Sequence, residues 1–207
     1  MLFRSLRIIG NGAILDGSIS LDNAPWEHVR NDVFKYSPPL KGFQVLLLEG
    51  KFAPHVSSQN SKLPLLKVGQ WSWFEGAIHL KCQPNHLPSG MSAACGGLSV
   101  GITLYDVHDV EISDLTVRGF QLDGVNAHDN VRRTTLANLT SELNGRSGIT
   151  IAGASRVRVE SCLCRDNGQA QFRTEGYCIA QISGNQFEAG SAPASASEGG
   201  QVVEVPE

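Results

Sequence analysis

Residues 101–129 read GITLYDVHDVEISDLTVRGFQLDGVNAHD, and residues 134–168 read TTLANLTSELNGRSGITIAGASRVRVESCLCRDNG. Laid over one another, the two stretches repeat. Gly101-Ile-Thr-Leu104, Gly124-Val-Asn-Ala127, Gly148-Ile-Thr-Ile151 and Gly176-Tyr-Cys-Ile179 each run glycine, apolar, small or polar, apolar, and their glycines recur at near-constant intervals, the last being the longest. Gly76-Ala-Ile-His79, about one such interval before Gly101, reads as an earlier and looser member. A second column runs through Ile112, Leu136 and Val159 with the same spacing, and three positions after each stand Leu115, Leu139 and Cys162. Two independent columns therefore share one period.

A repeat of this length, holding two or three short strands with Gly and Asn at the corners, winds once around a flattened coil. Successive coils then stack at strand spacing, about 4.8 Å, and bury their inward side chains in a continuous apolar column. The expectation is an all-β parallel β-helix of about five coils. Leucine-rich repeats have a similar period, but their frame cannot be threaded through these segments. A β-sandwich explains the strands and not the period. Asn144-Gly145 and Asn167-Gly168, one period apart, predict stacked asparagines at a tight bend, a structural device and not a catalytic one.

Composition agrees. In 207 residues there are 22 Gly, 9 Pro and 2 Met, with 41% hydrophobic and 18% charged residues, which suits a globular chain of short strands. A net charge of -3 with scattered Lys and Arg argues against nucleic acid as a partner, and the apolar runs are too interrupted to span a membrane. Cys82, Cys95, Cys162, Cys164 and Cys178 have no CxxC spacing and read as buried free thiols. The opening residues alternate like a strand, so no signal peptide is visible. An extracellular or periplasmic location is expected if a longer protein carries one.

Four segments follow: a first coil at 1–19, a β-rich insertion at 20–75 holding all three Trp, coils at 76–188, and a flexible low-complexity tail at 189–207. The repeat sequences quoted above, with the opening IIGNGAILDGS at 8–18, resemble the right-handed parallel β-helix proteins of the pectate-lyase-like superfamily. The resemblance implies a right-handed helix. It also implies a carbohydrate-active protein with a polysaccharide or oligosaccharide as partner, acting as a hydrolase or lyase. The alternative is a non-catalytic carbohydrate-binding or structural repeat segment of a longer protein. The paired-Asp motif of polygalacturonase-like hydrolases is absent here. Ca²⁺, used by lyases of this fold, has carboxylate ligands available among the aspartates but none at ligand spacing, so no metal site is assigned.

Placing the repeats in register turns Ile102, Val125 and Ile149 inward and Thr103, Asn126 and Thr150 outward. Asp106 and Asp129 then lie one coil apart, with His128 beside them, an arrangement in which paired carboxylates can serve as acid and base. Asp123 precedes its strand in the same way as Glu175, with Arg146 nearby. The catalytic candidates are therefore Asp106, Asp123, His128 and Asp129, and the substrate-binding candidates Asn126, Arg146 and Glu175; of these, Asp106, Asp123, His128, Asp129 and Arg146 are expected to line one exposed groove.

Overall fold

A computed structural model describes residues 5–58, 62–190 and 192–206. Its backbone forms a right-handed β-solenoid of about four turns. Three faces of parallel strands stack along it. The first holds Ile102–Tyr105, Asp123–Asp129, Ser147–Ile151 and the opening parts of Ala170–Ser183 and Ser195–Glu204. The second starts from the beginning of Leu6–Asp16 and continues through the beginning of Val110–Arg118, Thr134–Ala137, Arg156–Glu160 and the end of Ala170–Ser183. Thr140–Glu142, Leu163–Arg165 and Gln186–Phe187 build the third beneath the end of Val110–Arg118.

The two sequence columns become two walls of one core. Ile8, Ile112, Leu136, Val159 and Ile182 are register partners from coil to coil, and Ile112, Leu136 and Val159 are fully buried. On the opposite wall Ile102, Val125, Ile149 and Phe172 follow one another. Each fully buried side chain of these columns contributes about 1.5–3 kcal/mol by leaving water. At the corner between the third and first faces the asparagines stack as expected: Asn144 Nδ2 donates to Asn167 Oδ1 at 3.0 Å, and both side chains are fully buried.

The fourth member of the glycine column is different. Phe172 occupies the inward place expected of Tyr177, which is 91% exposed. Gly176 instead follows Gly153 and precedes Gly199 at a second corner, where Gly176 and Gly199 are register partners. One coil on from Ile149 stands Phe172, so the longer step from Gly148 to Gly176 overshoots the column.

The excursion from the first coil also runs further than expected. Gly76 is at a hairpin turn with φ +72°, and Ala77–Lys81 pairs antiparallel with Val33–Tyr36 and Trp71–Phe74. Alternation of Ile78 and Leu80 marks a half-buried strand without saying which sheet it joins. The inserted module comprises two four-stranded antiparallel sheets, the other ordered Ser18–Ser20, Ala93–Gly96, Leu46–Leu48, Lys51–Phe52. It has its own core around Leu21, Leu46, Trp71, Ile78, Leu80 and Cys95. The tail is likewise ordered from Ser195 to Glu204, pairing in parallel with Ala170–Ser183. Main-chain hydrogen bonds recruit an edge strand whatever its side chains, so a composition poor in apolar residues is no bar to pairing.

Candidate functional site

The strand Asp123–Asp129 carries sequence candidates at both ends, separated by most of its length, about 16–20 Å at roughly 3.3 Å per residue. They form two separate groups.

At the strand's far end the groups serve turns. Asp106 has φ +49° and accepts a hydrogen bond from Asn130 Nδ2. Asp129 accepts the backbone N–H groups of Ala154 and Asn130, both at 2.9 Å. Those donors, Ala154 first, hold its carboxyl below the usual carboxylate value. His128 is exposed and stacks on Tyr105, ring centroids 5.9 Å apart.

At the near end a ladder of charges crosses the coils. Asp123 is fully buried and receives Arg146 Nε at 2.9 Å and Nη2 at 2.5 Å on its two oxygens, with Asn126 Nδ2 at 2.9 Å. This bidentate pair raises the Arg146 guanidinium above its already high ordinary value. Arg146 Nη1 reaches on to Glu175 at 3.3 Å. Arg173 lies 3.9 Å from the same carboxylate, donates to Ser147 Oγ at 3.0 Å, pairs with Glu198, and contacts Gln169 Oε1 at 3.4 Å. Asp123, Asn126, Arg146 and Glu175 are thus brought together, and Asp106, His128 and Asp129 form a separate group at the other strand end, where the Asp106 N–H donates to Asp129 O at 2.9 Å. Arg173 and Glu198 are additions that the sequence reading missed. Glu198 lies in the stretch read as a flexible tail, and Arg173 becomes an outward residue only once Phe172 is put in register.

Gln169 leads from the ladder into a cleft of about 670 Å³ between the inserted module and the coils. Phe43, Phe52, Trp71 and Trp73 supply aromatic surface, and Gly145 and Gly168 the opposing floor. The module approaches closely because Gly145 lacks a side chain, whose Cβ would stand 2.6 Å from Phe43 O and 2.2 Å from Gln121 O; Gly168 keeps adjoining coils close, its Cβ falling 2.2 Å from Gly145 O. Gln121 clasps the two parts. Its buried amide donates to Leu40 O at 3.1 Å and Gly96 O at 3.0 Å and accepts the Gly42 N–H at 3.1 Å. The glycines following the stacked asparagines, together with the Trp and Phe gathered in the insertion, were the available signals for this cleft. Among the described residues no three His, Cys, Asp or Glu side chains are placed to hold a metal ion.

A sequence model of the family described as "Right handed beta helix region" matches residues 94–205, more than half of the chain. The chain belongs to the right-handed β-helix family. A search of curated proteins finds no match for this β-helix protein. Among solved structures it is similar to "The complex structure of XylC with xylose", with a TM-score of 0.44 and 8% identity, over 98% of this chain and 61% of that one. The β-helix chain thus spans less than two thirds of the length of that structure.

Proposed function

We propose that the chain is a carbohydrate-active β-helix protein whose cleft seats a glycan. The observation that carries this reading is the cleft itself, whose volume falls in the ordinary range of ligand sites, about 300–1,000 Å³. Aromatic rings on one wall present flat apolar surface suited to the faces of sugar rings, and the amide- and charge-bearing ladder beside it offers partners to hydroxyl groups. Binding is the primary function on this reading, because most of the carboxylates are already engaged. Asp129 holds turn backbone, Asp106 is engaged by the Asn130 side-chain amide, and Asp123 is locked by Arg146.

A hydrolytic reading has one observation in its favour. Glu175 and Glu198 are register partners on adjacent coils. Strand spacing of about 4.8 Å lies near the roughly 5–5.5 Å between the carboxyls of a retaining glycosidase. A panel of soluble polysaccharides, assayed for affinity by calorimetry, for new reducing ends and for unsaturated products by ultraviolet absorbance, tests both readings. Binding that weakens about fivefold or more in Trp73→Ala supports the cleft. Reducing ends lost in Glu175→Gln and Glu198→Gln establish hydrolysis, and the absorbance of unsaturated products establishes elimination. Activity lost in Asp129→Asn and retained in both Glu variants moves the chemistry to the group at the other strand end. No binding across the panel refutes the proposal.

A further inference from the structure

We infer that the glycan taken by this cleft is neutral and that uronic-acid chains are rejected; the inference rests on the carbohydrate reading above. The described residues lining the cleft include no Lys, Arg, Asp or Glu. Their titratable member, His55, has its ring 4.5 Å from that of Trp71. Lost hydration lowers its pKa from the ordinary value, which favours the neutral ring. A carboxylate entering this space would give up water and find no cation in exchange.

The ladder beside the cleft offers no cation either. Arg146 is shared between Asp123 and Glu175, and Arg173 between Glu198 and Glu175. Three carboxylates against two guanidiniums leave the ladder formally at -1, so its field repels an anionic polymer.

What is left unpaired is a set of hydrogen-bonding atoms. Gln44 lines the cleft; its Nε2 donates to Leu40 O at 2.7 Å, and its Oε1 is buried with no hydrogen-bond partner. Asn126 Oδ1 on the ladder is in the same condition, as is Thr150 Oγ1, its neighbour in the next coil. The two amide oxygens, Gln44 Oε1 and Asn126 Oδ1, only accept and need an O–H or N–H donor. A sugar hydroxyl supplies one, and a carboxylate has no proton to give.

The test compares neutral oligosaccharides of xylan, glucan, mannan and galactan type with oligogalacturonides of the same length, by calorimetry on the intact chain at pH 7 in low and high salt. Binding of at least one neutral series, with the uronates at least about tenfold weaker and gaining on raising the salt, is the expected result. Gln44→Lys, which puts a cation at the cleft wall, should narrow the gap by raising uronate affinity. Uronates binding as tightly as the best neutral series, or a gap that Gln44→Lys leaves unchanged, overturns the neutral assignment while the carbohydrate reading stands. Absence of binding in both series overturns the two together.

Discussion

The buried asparagine ladder gives the sharpest quantitative prediction. Asn144→Ala removes the acceptor of the Phe120 N–H (3.1 Å) and the donor to Asn167 Oδ1 (3.0 Å) and Ser141 Oγ (3.2 Å). Phe120 is 1% exposed, so its freed N–H cannot turn to water. An orphaned buried donor costs about 1–3 kcal/mol, and each further lost bond about 1 kcal/mol, which gives an expected loss of about 3–5 kcal/mol. At about 2–4 °C per kcal/mol for a chain of this size, Tm should fall by roughly 10 °C. Urea unfolding followed by far-ultraviolet circular dichroism reads the coils, and tryptophan fluorescence reads the inserted module, where all three Trp lie. Both midpoints should move, because Gln121 and Gly145 couple the two parts. A loss below about 1 kcal/mol would refute the view that this corner is held by its side-chain amides and not by main-chain pairing alone.

Phe172→Ala should cost about 3–5 kcal/mol as a fully buried ring, whereas Tyr177→Ala should be near neutral; the reverse order in denaturation would restore the glycine-column register. Burial pushes the Cys82 and Cys162 thiols up to about 11 and Cys95 up to about 12, so the native chain at pH 8 should react slowly with a thiol reagent and release all five thiols when unfolded. The carboxyls of Asp109, beside Arg133 and His108, and of Asp129, on backbone N–H groups, lie below their usual value. So does Asp16, whose burial is outweighed by Ser18 and Arg118. Depressed carboxyls contribute stability that is complete above the unfolded value near pH 4 and is lost as pH falls through the folded one. Tm should therefore hold from pH 7 to about 5 and drop below about 4, less steeply in Asp109→Asn.

The coil was legible because a solenoid repeats its inward contacts once per turn, so Ile112, Leu136 and Val159 announce themselves by spacing alone. Asn144 and Asn167 were legible for the same reason. Glycine at 176 imitated the motif from a different corner, and only the interval distinguished it. Pairing partners were the blind point: Ala77–Lys81 has the pattern of a coil strand and joins a hairpin, while Ser195–Glu204 has the composition of a linker and joins the stack. Of the site, Asp123, Asn126, Arg146 and Glu175 could be placed together from the outward positions of one face. The cleft could not, since it arises where an aperiodic module docks on a periodic one, and no repeat encodes that contact.

The missing side chain at Gly145 sets how near the inserted module can come to the coils, and the one at Gly168 how near its own coil comes to Gly145. The same atoms that let the two parts meet are the floor on which a ligand would rest. Occupancy and docking are then thermodynamically linked: a molecule spanning both walls stabilises the junction by RT ln(1 + [L]/Kd), about 2.7 kcal/mol at a hundredfold excess over Kd. Ligand and clasp act as a single fastening, so the module's attachment should stiffen whenever the cleft is filled.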